Sequence, residues 1–398
     1  MTELAVLART PADDDHPVEQ LTAHPRLPLV AGTAAGSRLV RVWDCGGGRL
    51  RELSPVDLGP AGEPDPADWW HRDAPPAVAW HPRDPLLVVA DGATLTRWTP
   101  DGPSAPEPTA AAHHYLAFSP DGRTLWAAPS GEGASAAVDP ATGASAPAPY
   151  WDTGVAAHPS GELVTTLVSD QGATFCLFAR PGDGPGTAMR TLRQALILDV
   201  DGYGTPLFSA DGRHLAVRGN AYVESLDIFA FPSLRKVLST ALAEDGAVEW
   251  PRDNLAWDAR PGVIWIGTPT GALIELDVEA QEAVEHAAPD DVPVSALVAT
   301  AAGELLAARE NGELVLLAVR SEAPAAASAQ APDDDAAAFL AATEALPPDA
   351  DLEEHLVFTD GTDSWDTEAL ETVTEASPAD PTWLQIQASI NRARAQRG

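Results

Sequence analysis

The sequence predicts an all-β fold: a seven-bladed β-propeller closed by an N-terminal strand, with a short α-helical C-terminal extension. Two observations carry this expectation. A phrase of apolar run, tight turn and second apolar run recurs seven times along the 398 residues. The chain begins with a strand that belongs to no blade, and the last blade lacks its fourth strand, so each completes the other. Fixed-period repetition of short strands marks a repeat architecture.

The repeats read VEQLTAHPRLPLVAGT near residue 18, AVAWHPRDPLLVVADG near 77, YLAFSPDGRTLWAAPSG near 115 and GVAAHPSGELVTTLVSDQG near 154. They continue as PLFSADGRHLAVRGN near 206, NLAWDARPGVIWIGTPTG near 254 and SALVATAAGELLAARENG near 295. His24, His81, Ser119, His158, Ser209, Asp258 and Thr300 mark the first turn of each, at steps of 57, 38, 39, 51, 49 and 42 residues. A four-stranded blade takes roughly 40–50 residues, so seven markers give seven blades. In blade one the spacing predicts strands near Val18–Ala23, Leu27–Gly32, Arg38–Asp44 and Arg49–Ser54. Gly46-Gly47-Gly48 turns the last two against each other.

The third strand of blade one ends in Val42-Trp43-Asp44, echoed by Arg97-Trp98-Thr99, Ala137-Val138-Asp139 and Glu275-Leu276-Asp277. With the Ser-Pro-Asp-Gly type of turn and the period, these residues make positions 1–320 resemble the WD-repeat β-propeller family, in a divergent bacterial form. The Gly-His pair of that family is missing, so its internal Asp-His-Ser-Trp network is not carried over. The resemblance implies a protein that organises complexes.

Blade seven lacks a fourth strand after Glu313–Val319, and the chain begins with a strand, Glu3–Arg9, that belongs to no blade. The two are expected to pair, residues 3–9 beside Leu314–Val319, covering an edge that would otherwise be open.

Residues 321–335 read as an Ala/Pro/Asp-rich linker and 336–398 as an acidic, mostly helical extension. Helices are expected over Asp335–Leu346, Trp365–Thr374 and Thr382–Arg397, with a short strand at Leu356–Thr359. Asp380 is expected to cap the last helix, with Pro381 at its first position. Trp383, Ile386, Ile390 and Ala393 fall at helical spacing on one face. That face either docks on the propeller or anchors a partner.

The net charge of −35 argues against nucleic acid and anionic membranes, which need clustered Lys and Arg. It favours protein partners with a basic or apolar surface. Lys236 is the only lysine, and the Ala, Pro, Gly and Arg bias resembles that of high-GC actinobacterial proteins. Cys45 and Cys176 lie in different repeats and suit a reducing compartment. The opening residues lack a signal peptide's basic and apolar regions, and no run reaches the roughly 18 apolar residues of a membrane helix. A cytoplasmic location is expected.

The loops between blades repeat aromatic residues: Asp68-Trp69-Trp70-His71-Arg72-Asp73, His113-His114-Tyr115, Tyr150-Trp151-Asp152, Asp201-Gly202-Tyr203 and Trp250-Pro251-Arg252-Asp253. Trp-x-Arg-Asp occurs twice, at Trp70 and at Trp250. Trp, Tyr and Arg dominate many interfaces. Trp70, Arg72, His114, Trp151, Tyr203, Trp250 and Arg252 are therefore candidate partner-binding residues, together with Trp383, Ile386 and Ile390. The same aromatics could instead cover grooves between blades.

No nucleophile elbow or phosphate loop is present. Asp199-Val200-Asp201-Gly202 opens like a calcium loop but lacks the later ligands. No catalytic residue, metal or cofactor is expected. The sequence points to a non-enzymatic scaffold or sensor subunit of a bacterial complex, of the signalling or defence kind. A propeller enzyme of lyase or lactonase type, or a small-ligand binder at the channel mouth (with His71, His113 and His114), is the alternative.

Overall fold

A computed structural model describes residues 2–12, 16–59, 75–129, 135–151, 153–170, 173–198, 202–219, 224–242, 250–287, 291–321, 332–347, 350–378 and 380–396. The chain divides into two compact units: Met1–Pro147, Gly184–Gly186 and Asp245–Ser328 form one, and Ala148–Asp183, Thr187–Glu244 and Ala329–Gly398 the other.

Among the described residues the first unit holds five sheets. Blade one is built on Gln20–Ala23, Leu29–Thr33 and Leu39–Asp44, with Arg51–Glu52 and Val56–Asp57 pairing the last of these. Blade two uses Ala77–Trp80, Leu87–Asp91 and Thr94–Thr99, again with two short edge strands. Blade three runs His113–Phe118, Leu125–Pro129, Ser135–Val138, Ser145–Ala148. Blade six runs Leu255–Trp257, Val263–Gly267, Leu273–Asp277, Glu282–His286. Blade seven is Val294–Ala299, Leu305–Arg309, Glu313–Ser321 and, outermost, Thr2–Pro11.

The N-terminal strand pairs antiparallel with Glu313–Ser321, from Thr2 opposite Ser321 to Pro11 opposite Glu313, with a register shift between Val6 and Ala8. The expected clasp is therefore present. Blade seven then meets blade one: Val18, Leu21, Val30 and Trp43 share a core with Ala296, Leu306, Leu314 and Leu316. Ser295 Oγ donates to the Val18 carbonyl at 2.6 Å.

Second strands such as Leu29–Thr33, Val263–Gly267 and Leu305–Arg309 are buried along their whole length. They read as continuous apolar runs because both faces are covered. Outer strands such as Glu282–His286 face solvent and carry the charge.

The marker turns share one device. A side-chain acceptor at the first turn position takes the backbone N–H groups two to five residues on, a local mimic of a backbone turn. His24 Nδ1 accepts from Arg26 and Leu27, Ser119 Oγ from Thr124, Asp258 Oδ1 from Arg260, and Thr300 Oγ1 from Ala302 and Glu304, at 2.8–3.3 Å. The histidines do more. His24 Nε2 donates to the carbonyl of Asp84, in the next blade's turn, at 3.0 Å.

The second unit contains blades four and five and the C-terminal extension. Blade five is Leu207–Phe208, His214–Gly219, Ser225–Ala230, Lys236–Ala241. Blade four is Ala156–Ala157, Val164–Asp170, Ala173–Arg180, Arg190–Leu198, extended by Val357–Thr359 and Ser364–Trp365. Val357–Thr359 joins Arg190–Leu198 in parallel, Gln194 opposite Val357 and Leu196 opposite Thr359.

The extension carries four helical segments among the described residues: α1 (Pro332–Ala342), α2 (Leu352–His355), α3 (Thr367–Thr372) and α4 (Thr382–Ala395). Helix α1 starts inside the expected linker, with a proline at its first position, and ends short of Leu346. The reason for the early end is pairing: Arg193 N–H donates to Glu344 O and Leu346 N–H to Thr191 O, both at 2.8 Å, so 344–346 lie along blade four. Trp365 is in a strand, and α3 begins after Asp366, whose carboxylate caps the Ala369 N–H at 3.0 Å. Asp380 does not cap α4; the cap is Pro381, and the Asp380 carboxylate accepts from Ser377 N–H at 2.5 Å.

Candidate functional site: rim aromatics and the outer face of helix α4

Trp70 and Arg72 lie outside the described residues, as do His71, Asp73, Asp152 and Asp199–Asp201. His114, on the first strand of blade three, is half-buried. Trp250 is half-buried and Arg252 exposed, just before blade six. Their segment is held by an N–H of Leu297 donating to the Asp253 carbonyl at 2.8 Å.

Two expected contact residues are not on the surface. Trp151 is 1% exposed and Tyr203 5%. Tyr203 sits among Leu215, Val217 and Phe229, and its hydroxyl donates to Asp227 Oδ2 at 3.3 Å. An aromatic ring gains more from filling this core than from lying in water. Both side chains pack, and neither is available to a partner.

Helix α4 has two unlike faces. Leu384, Ala388 and Asn391 are buried. Asn391 Nδ2 donates to the carbonyls of Leu370 and Val373 at 2.7 and 2.8 Å, tying α4 to the end of α3. Trp383 was expected on the stripe with Ile386 and Ile390. It turns the other way instead, half-buried against Phe175 and Phe358, with ring centroids 5.3 Å from each. These rings belong to a core in which Phe175, Leu177, Ala195 and Ile197 of blade four meet Leu346, Leu356, Phe358, Leu370 and Leu384 of the extension. The docked face is therefore the 384/388/391 stripe.

Ile386 and Ile390 point outward, 46% and 41% exposed. With Thr382, Gln385, Ser389 and Ala393 they make up the open outer face of the helix. Two isoleucines one turn apart in water are the unusual feature here, since single exposed apolar residues are ordinary. The helix carries no acid, and Arg392 and Arg394 are exposed in its last turn.

Elsewhere the polar clusters are structural. In blade six Arg260 bridges Asp258 (Nη2–Oδ2 2.7 Å) and Glu275 (Nη1–Oε1 2.6 Å). Trp265 Nε1 donates to Asp258 at 2.6 Å, and Thr2 Oγ1 of the clasp donates to Glu275 at 2.8 Å. These hydrogen bonds hold both carboxyls below the usual range, against the opposing effect of burial. Spacing gave no hint of this network, because Thr2 and Glu275 are 273 residues apart. Burial pushes the thiols of Cys45 and Cys176 up to about 12, so both are unreactive. Among the described residues no three His, Cys, Asp or Glu side chains come together in a way that could hold a metal ion. Nor is any described helix long and apolar enough to cross a membrane.

No protein-family model matches the chain, and no curated protein sequence does. A solved structure, the hydrazine synthase of Kuenenia stuttgartiensis, is similar in fold, with a TM-score of 0.56 and 14% identity. The match covers 79% of this chain and 98% of that one. At this identity the likeness concerns fold alone. With the seven sheets it makes the fold class a seven-bladed β-propeller.

Proposed function

We propose that this chain is a non-enzymatic protein–protein interaction module, a scaffold or sensor subunit, and that the outer face of α4 is one of its contact surfaces. The observation that carries the reading is the exposure of Ile386 and Ile390 on a helix whose opposite face is already docked. A helix fixed by Leu384, Ala388 and Asn391 presents the two isoleucines with little conformational freedom left to lose, which favours binding. The resemblance of residues 1–320 to WD-repeat propellers and the charge of −35 support a role in protein complexes rather than on nucleic acid. Among the described residues His114 and Trp250, both half-buried, and the exposed Arg252 are accessible for a second contact.

The test is affinity capture from an extract of the source organism, with wild-type chain and with Ile386→Asp/Ile390→Asp. Both residues are exposed, so the variant keeps its melting temperature. A polypeptide recovered by the wild type and reduced at least tenfold by the variant is the expected result. Equal recovery by both removes α4 as the contact. Recovery of nothing by either overturns the scaffold reading.

A further inference from the structure

Helix α4 together with the segment leading into it is electrically bipolar in a chain that is otherwise strongly acidic. The segment leading into it carries Glu375, exposed, and Asp380, and its last turn carries Arg392 and Arg394, both exposed. Between the two ends lies the apolar strip Ile386–Ile390, bordered by the small side chains of Thr382, Ser389 and Ala393. We propose that the outer face of α4 binds the same face of a second copy of this chain, antiparallel, about a two-fold axis that passes between Ile386 and Ile390. This rests on the reading of α4 as a contact surface and names its occupant.

A two-fold contact requires a patch that complements itself. This one does so in three ways. An axis midway between Ile386 and Ile390 sets Ile386 of each copy against Ile390 of the other. The same operation brings the Arg392–Arg394 end of each helix to the Asp380 end of its mate, so unlike charges meet twice. The two helix dipoles also run antiparallel, each positive end beside a negative one. Thr382, Ser389 and Ala393 let the axes approach to the 8–10 Å of packed helices. A parallel arrangement would instead set arginine against arginine.

The contact is modest in size. Helix α4 has 14 residues, so it is about 21 Å long and covers well under the ~800 Å² per partner of a standard interface. The expected dissociation constant is on the order of 10–100 μM.

Sedimentation velocity and light scattering on the full chain at 150 mM salt, from about 5 to 500 μM, read the association directly. The wild type is expected to shift from monomer to dimer across that range, and Ile386→Asp/Ile390→Asp to stay monomeric with an unchanged melting temperature. Arg394→Glu should weaken the dimer about fivefold, and Arg394→Glu/Asp380→Arg should restore it, because only the antiparallel register pairs these positions. A wild type that stays monomeric throughout overturns the proposal, as does a dimer that survives the Ile double variant or a charge swap that fails to rescue. If that monomer still captures another polypeptide through Ile386 and Ile390, the scaffold reading stands and only the two-fold contact falls.

Discussion

His158 Nε2 donates to the carbonyl oxygen of Gly212 at 3.1 Å, joining the marker turn of blade four to that of blade five. The ring lies over the glycine so closely that a Cβ there would come 2.3 Å from Nε2, and Gly212 has a φ of +73°. A similar close approach occurs in the first unit, where a Cβ on Gly122, φ +78°, would come 2.1 Å from His81 Nε2. The Asp-Gly of these turns thus answers to the preceding blade as well as to its own backbone.

Gly212→Ala combines a steric clash with a left-handed backbone that disfavours a side chain. It should destabilise by roughly 2–4 kcal/mol. Gly143, also left-handed at +72° but with nothing within 4 Å, is the control. Gly143→Ala should cost only about 1 kcal/mol. Chemical denaturation of the two variants reads the difference.

Removal of residues 1–11 strips the outer strand from blade seven and takes Thr2 from Glu275. The exposed edge Glu313–Ser321 then offers unpaired backbone to other chains. A drop in melting temperature and concentration-dependent aggregation are expected, both measurable by scanning fluorimetry with light scattering.

Arg260→Ala leaves the Asp258 carboxylate, 6% exposed, without its cation. The penalty for an uncompensated buried charge is roughly 3 kcal/mol. Arg260→Lys should recover only part of it, since a lysine cannot contact both oxygens of Asp258 and Glu275 at once. Urea titration of the three proteins decides this.

Stability should fall as pH drops below about 6.5. Burial lowers the pKa of His24 and His113 beneath the ordinary value of 6.5. At His24 protonation would also convert Nδ1, the acceptor of two backbone N–H groups, into a donor. The unfolded chain therefore binds these protons first, and stability is lost from the unfolded pKa downward, levelling off below the folded one. A second loss, below about pH 4, follows protonation of Asp258 and Glu275, whose folded values are depressed. Urea midpoints between pH 8 and 3 should trace both steps, and His24→Asn should shrink the first.

The blades were legible because their signals are local. A turn that begins at His24, Ser119 or Asp258 and folds back on its own N–H groups depends on few neighbours, and the strands on either side follow. The clasp was legible by subtraction, from one strand too many at the start and one too few at the end. The burial of Trp151 and Tyr203 was not, because a tryptophan or tyrosine beside a loop reads the same whether a core receives it or not. The inner face of α4 was hidden for a related reason. Ile386 and Ile390 outweigh Leu384, Ala388 and Asn391 in any measure of apolarity. What turns the helix is the ring of Phe175 in blade four, far away in sequence, with Phe358 of the extension, and the carbonyls of Leu370 and Val373 that Asn391 reaches.

The pairing of Thr2 with Ser321 also sets an order of events on the ribosome. The strand Thr2–Pro11 has no mate until more than 300 further residues are made, roughly 15–60 s at about 5–20 residues per second. Through that interval its hydrogen-bonding edge is held only by solvent or by a chaperone. Bulk attached directly to Thr2 would slow this closing step, because Thr2 lies opposite Ser321 in the pairing.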